Sequence, residues 1–227
     1  MTEIPNAPIS VVLGEDSFLA REAIRSVLER AADIELLAEC EDLTSLRGAV
    51  HELLPDAVVT DIRMPPDNSD EGIRLAAELR STHPDIGVVV LSQHAEPLYA
   101  TALFEDGSDG RAYLLKERVK DEGELLRAVR AVTAGASVVD PLVVEELIAS
   151  SRRREQAKLD NLTPRELEIL ALIAEGYSNS AIAETVVVTK RSVERHINSI
   201  FSKLELREAD DISRRVKATL LYLSGAS

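Results

Sequence analysis

The chain has a single cysteine, Cys40, among its 227 residues. No disulfide can form within it, which excludes a small fold stapled by disulfides and fits a reducing compartment. No apolar run approaches the roughly 18 consecutive residues of a membrane-spanning helix. The opening residues MTEIPNAPIS hold no basic segment followed by an apolar stretch, so no signal peptide is expected. Internal repeats and low-complexity tracts are also missing. These absences lead to the expectation of a cytoplasmic protein with no membrane partner. A basic excess is lacking too. The formal net charge is -14, and taken as one number it opposes binding to nucleic acid.

That charge is unevenly spread. Residues 152–227 carry 13 Lys+Arg against 11 Asp+Glu, whereas residues 1–151 carry 13 against 29. Such asymmetry predicts two domains with different partners, of which only the C-terminal one could approach phosphates. A hydrophobic content of 45% and a charged content of 29% are those of a globular protein, and the length allows two ordinary cores.

The first 135 or so residues alternate short β-branched runs with amphipathic helical stretches. The runs predict strands at Ile9–Leu13, Ile34–Ala38, Ala57–Thr60, Gly87–Leu91 and Ala112–Leu115. Consecutive apolar residues such as Val88, Val89 and Val90 suit parallel strands covered on both faces. Helical patterns lie near 18–31, 42–53, 71–82, 96–106 and 121–134. Five βα units of this kind describe a doubly wound α/β domain. Gly135 ends the fifth helix. Asp140 and Pro141 then read as cap and first turn of a helix to about Ser151, and the polar Arg152–Lys158 reads as an exposed linker. From Asn161 the pattern is all-helical. Thr163, Pro164 and Glu166 form a capping box, and helices are expected to Gly176, over Ser178–Thr185, from Thr189 to Leu204, and over Ala209–Leu223. The expected domains are residues 8–134 and 159–224, with 135–158 between them as a linker containing a helix.

Ligands of an open α/β sheet sit beyond the carboxyl ends of its strands. The first strand here ends in Glu15 and Asp16, the third in Asp61, the fourth in Ser92 and the fifth in Lys116. Three clustered carboxylates call for a cation, and hard oxygen donors suit Mg2+. A hydroxyl and an ammonium opposite them suit a tetrahedral anion such as a phosphoryl group. In this reading Asp61 is the nucleophile, the metal and Lys116 screen charge, and Ser92 donates a hydrogen bond.

Over residues 8–134 this set resembles the receiver domain of two-component response regulators. The matching stretches are Glu15-Asp16, VVTDIRMPP with Asp61, Ser92, and AYLLK with Lys116. The resemblance implies a flavodoxin-like five-stranded parallel sheet of order 2-1-3-4-5. It also implies a metal ligand from the backbone carbonyl of Arg63, a switch role for Ser92 and Tyr113, and a part for Gly72 in the loop entering the third helix. Gln93 departs from the small residue that receivers usually carry there, and His94 and Arg63 flank the same site.

In the C-terminal region a tight turn at Val186–Val188 between two helices fits a helix-turn-helix. In the helix that follows, Val193, Ile197, Ile200, Phe201 and Leu204 share an apolar face. Lys190, Arg191, Glu194, Arg195, Asn198 and Lys203 are the candidate contacts to phosphates and base edges. His196 is expected to be partly buried. The strings LTPRELEIL, EGYSNSAIAE and VTKRSVERHINSIFSKLEL look like the DNA-binding domain of the NarL/FixJ (LuxR-type) regulators, a four-helix all-α unit. That resemblance implies that the third helix is the recognition helix and that the fourth mediates dimerisation, through Ile212, Val216, Leu220 and Leu223. An intradomain core is the other reading of that stripe. Glu194 and Asn198 stand where the family often has basic residues.

The function expected is phosphorylation-controlled transcriptional regulation. A sensor histidine kinase would phosphorylate Asp61 with Mg2+, and a homodimer would then bind promoter DNA. Two other readings remain at this stage. An aspartyl-phosphate phosphatase would place a second aspartate two residues after the nucleophile, where Arg63 stands, so an enzyme is not expected. A receiver-like regulator that takes no phosphate is favoured only by Gln93.

Overall fold

The runs Ala57–Asp61, Gly87–Ser92 and Arg111–Leu115 become parallel strands buried on both faces between helices, whereas Ile34–Cys40, at the sheet edge, is only partly covered. The strands are β1 (Ile9–Gly14), β2 (Ile34–Cys40), β3 (Ala57–Asp61), β4 (Gly87–Ser92) and β5 (Arg111–Leu115). Between them run α1 (Phe18–Glu29), α2 (Leu43–Leu53), α3 (Glu71–Thr82) and α4 (Pro97–Phe104), and α5 (Glu122–Thr133) follows β5. A computed structural model describes residues 7–120, 122–206 and 213–225, in two units that part between Leu147 and Ile148.

Alternation along the strands divides the first unit into two apolar layers. Val58, Val88, Val90 and Tyr113 pack toward Leu46, Leu75 and Leu79 of α2 and α3. Val59, Val89, Leu91 and Leu114 face Ile24, Leu28, Leu125 and Val129 of α1 and α5 on the other side. The strand order is β2-β1-β3-β4-β5-β6, with β6 the short strand Val138–Val139, all parallel, so the winding reverses between β1 and β3. That reversal opens a crevice at the strand ends.

The sheet has six strands instead of the expected five. Val138 and Val139 form the short β6, paired with Ala112 and Tyr113 of β5. Two residues are too few to show a period of two. A second correction concerns Arg152–Lys158, which is helical. The helix α6 runs unbroken from Pro141 to Asp160. Arg, Glu, Gln, Ala and Lys are strong helix formers, and Gln156 Nε2 donates to Asp160 Oδ1 at 2.9 Å, one turn on.

The second unit continues with α7 (Pro164–Ala174), α8 (Asn179–Thr185), α9 (Lys190–Lys203) and α10 (Arg214–Gly225). Each of the first three starts where a hydroxyl satisfies an orphan amide. Thr163, Ser178 and Thr189 accept from the backbone N–H groups of Glu166, Ala181 and Ser192. Val193, Ile197, Ile200, Phe201 and Leu204 are all buried, together with Ile169, Leu170, Ile182 and Ala218. The fourth helix was expected from Ala209, and that stretch, with Ile212, lies outside the described residues.

Candidate functional site

Register brings the predicted groups together. Asp61 is paired with Leu91, one residue before Ser92, and Ser92 is paired with Leu115, one residue before Lys116. Glu15 follows the last residue of β1, beside β3. One carboxylate oxygen from each of Glu15, Asp16 and Asp61 lies within 4.8 Å of the others. Glu15 is fully buried and Asp61 nearly so, whereas Asp16 is exposed.

Lys116 bridges two of these acids. Its Nζ lies 2.7 Å from Asp61 Oδ2 and 2.7 Å from Glu15 Oε2. Burial depresses the basicity of the Lys116 ammonium, but hydrogen bonds to Asp61 and Glu15 outweigh it, and its pKa ends above the ordinary lysine value. Burial likewise pushes the Glu15 carboxyl up, despite the lysine beside it. The donor set is three hard, anionic oxygens with one carboxylate open to water, which fits Mg2+.

Asp61 opens onto a cleft of about 210 Å³ that Asp16, Arg63, Ser92, Gln93, His94 and Glu96 also line. Ser92 Oγ donates to the His94 carbonyl at 2.7 Å, and the Tyr113 hydroxyl donates to the same carbonyl at 3.3 Å. Tyr113 is fully buried, and burial raises its pKa. The Arg63 side chain turns to Glu96, with Nη2 2.9 Å from Oε1, and stacks on Tyr99 at 5.5 Å. Gly72 sits where a Cβ would lie 2.1 Å from the Asp61 carbonyl oxygen, so only glycine lets α3 start this close to β3.

Two supporting residues escaped the reading of the sequence, and a third was read only as part of a helix cap. Arg21, buried on α1, donates from Nη1 to the Glu15 carbonyl at 2.7 Å and from Nη2 to Glu41 at 2.6 Å. Glu71 is fully buried and collects the amides of Ser69, Met64 and Asp67, at 2.8, 3.3 and 3.3 Å. It thereby fixes the loop after Asp61. Burial would raise the Glu71 pKa, yet these backbone N–H groups and Arg74 bring it below the usual carboxylate value. The third is Glu166, in the other unit. An acidic residue in a first helical turn was visible for the last two, but its burial was not.

In the second unit Lys190, Arg191, Glu194, Arg195 and Asn198 all stand exposed on α9, while His196 is half-buried. Lys203 is placed differently. Its Nζ lies 2.6 Å from Glu166 Oε2, tying the end of α9 to the start of α7. On α10, Val216, Leu220 and Leu223 are 49%, 57% and 53% exposed, so this stripe is not core within its own unit.

Comparison with known proteins follows the same division. The family described as response regulator receiver domain matches residues 11–130, and that described as bacterial regulatory proteins, luxR family, matches residues 160–216. The chain is 31% identical over 217 residues to the transcriptional regulatory protein DegU of Brevibacillus brevis, across 88% of this chain and 89% of DegU. It is 34% identical over 201 residues to the response regulator protein VraR of Staphylococcus epidermidis, across 88% of this chain and 92% of VraR. Among solved structures, the response regulator ChrA of a heme-sensing two-component system is 28% identical, with a TM-score of 0.51 over 97% of this chain and 99% of ChrA. The RcsB response regulator of Salmonella typhimurium, 24% identical, shares the fold with a TM-score of 0.59 over 96% of this chain and 99% of that one.

Proposed function

The chain belongs to the response regulators that join a receiver domain to a LuxR-family DNA-binding domain, and from that premise we propose that phosphoryl transfer to Asp61 controls its binding to DNA. The donor is the phosphohistidine of a sensor kinase, in the cytoplasm. An Asp61 carboxylate oxygen attacks phosphorus, the P–N bond breaks, and the imidazole leaves with the electron pair and takes a proton. An acyl phosphate on Asp61 is the product. The observation that carries this reading is the Asp61 carboxylate at the mouth of the cleft, 2.7 Å from Lys116 Nζ and beside Glu15 and Asp16.

Glu15, Asp16, Asp61 and the Arg63 carbonyl oxygen are the groups that hold Mg2+, which when bound offsets the charge on the phosphoryl oxygens. Lys116 neutralises a further part of that charge. Ser92 Oγ leaves the His94 carbonyl for a phosphoryl oxygen. Tyr113, which bonds the same carbonyl, then loses its neighbour there and shifts, biasing a pre-existing equilibrium of the receiver.

The output side rests on charge and exposure. Lys190 and Arg191 meet phosphates, and Arg195 and Asn198 face base edges, with Glu194 among them. Val216, Leu220 and Leu223 give α10 an outward apolar stripe that a second copy covers, so that two recognition helices engage half-sites about one helical turn apart. Residues 8–134 act as receiver, 159–224 as DNA-binding domain, and 135–158 joins them. The phosphoryl step is tested by intact-mass analysis after incubation with acetyl phosphate and Mg2+. The chain gains one phosphoryl group, and Asp61→Asn gains none. Equal labelling of that variant, or labelling undiminished by removal of divalent ions, refutes it.

A further inference from the structure

The turn between α8 and α9 carries two physical costs on one side chain. Val187 donates its amide to Glu184, and Val188 donates to Ala183 at 3.0 Å, bonds that roll the end of α8 over a left-handed residue. That residue is Val187, at φ +55°. Glycine or asparagine ordinarily fills such a place, because a β-branched side chain crowds its own backbone there.

Burial does not offset the strain. Val187 is 88% exposed, more than any other large apolar side chain among the described residues. Its neighbours behave otherwise, since Val186 is buried and Val188 packs against the core of the unit. The residues that follow are Thr189, the cap of α9, and then the exposed cations Lys190 and Arg191. The strained, outward valine therefore stands two residues before the cap of the basic helix.

We propose that Val187 is a specificity-determining DNA contact, its methyl groups packing on the 5-methyl group of a thymine in the major groove. The inference rests on the DNA-binding reading above and deepens it. Thymine offers the apolar feature of that groove, and apolar side chains read it by contact. The adjacent cations supply the attraction to phosphate, so an apolar residue at the tip loses little affinity and gains discrimination.

The test uses the full chain, with acetyl phosphate present, and the duplex that the wild type enriches from a random library. Val187→Asn, which suits the left-handed turn, raises the melting temperature of the C-terminal unit by roughly 4 °C or more. It also weakens binding about fourfold, the worth of one buried methyl contact. Val187→Thr keeps the β-branched backbone and the wild-type melting temperature, and weakens binding less. Replacing one thymine of the duplex by uracil costs the wild type about fourfold and costs Val187→Asn nothing further. The inference is overturned if Val187→Asn binds as the wild type does, or if its penalty for uracil is undiminished. Failure of the wild type to enrich any sequence instead refutes the DNA-binding reading, and the inference with it.

Discussion

Glu166 offers the sharpest test of how the DNA-binding unit is held together. Its side chain is only 6% exposed, and its carboxylate receives Lys203 Nζ at 2.6 Å, Ser199 Oγ at 2.7 Å and the Thr163 amide at 2.8 Å. Two of these donors lie on α9, so the capping residue of α7 also anchors the proposed recognition helix. Burial alone would raise the pKa. The bonds from Lys203, Ser199 and Thr163 outweigh it and bring the pKa down to about 2, from the ordinary glutamate value of 4.5. A difference of that size corresponds to roughly 3 kcal/mol in favour of the charged form. Lys203 is 35% exposed, and solvent screening reduces the figure to about 2 kcal/mol. A carboxylate with a depressed pKa contributes its full stability above the unfolded value and loses it as pH falls toward the folded one. The contribution is therefore complete above about pH 5 and gone near pH 2. Glu166→Gln keeps the shape and removes the charge. Urea unfolding, followed by amide hydrogen exchange in α7 and α9, should show a loss of about 2 kcal/mol at pH 7 that shrinks steadily below pH 5. A loss under about 0.5 kcal/mol at pH 7, or one independent of pH, refutes this role for the Glu166 carboxylate.

Gly72→Ala forces an atom to within 2.1 Å of the Asp61 carbonyl oxygen; it should cost about 1–3 kcal/mol in thermal unfolding and slow the labelling of Asp61, whereas Gly48→Ala, with open space around it, should do neither. Lys190→Ala should weaken DNA binding about equally for all sequences and flatten the salt dependence by about one unit, while Arg195→Ala should relax preference at one base pair, at about 1–3 kcal/mol. Identical enriched sequences for wild type and Arg195→Ala count against that placement. Leu220→Glu changes an exposed residue, so it should leave the fold's stability within about 0.5 kcal/mol; sedimentation of the phosphorylated chain should shift from dimer to monomer, and an unchanged dimer removes α10 from the interface.

The strand ends were legible in the sequence because four of the apolar runs give way within two residues to a polar group, at Glu15, Asp61, Ser92 and Lys116. The caps at Thr163 and Thr189 were legible for a similar reason, since a hydroxyl just before a helical period has a local job, whereas Ser178, expected as the first residue of its helix, is the cap. Long-range partners were not. Lys203 looked like another cation for phosphate because nothing local points to Glu166, 37 residues before it. Arg21 and Glu71 read as ordinary helical charges, and only the fold puts them under the site. Periodicity also fails where there is no apolar stripe. The polar end of α6 is built from helix-forming residues with no buried face over 151–154, so propensity carries it and pattern does not. The two-residue β6 is too short for any pattern at all.

Phosphorylation of Asp61 should govern affinity for DNA. This is tested most directly by titrating one enriched duplex, at one fixed salt concentration, with the unphosphorylated and the phosphorylated full-length chain. Binding should be at least tenfold tighter after phosphorylation, a coupling of about 1.4 kcal/mol or more, and Asp61→Asn should not respond to acetyl phosphate. Equal affinities of the two forms, with the phosphoryl group verified on Asp61, contradict it.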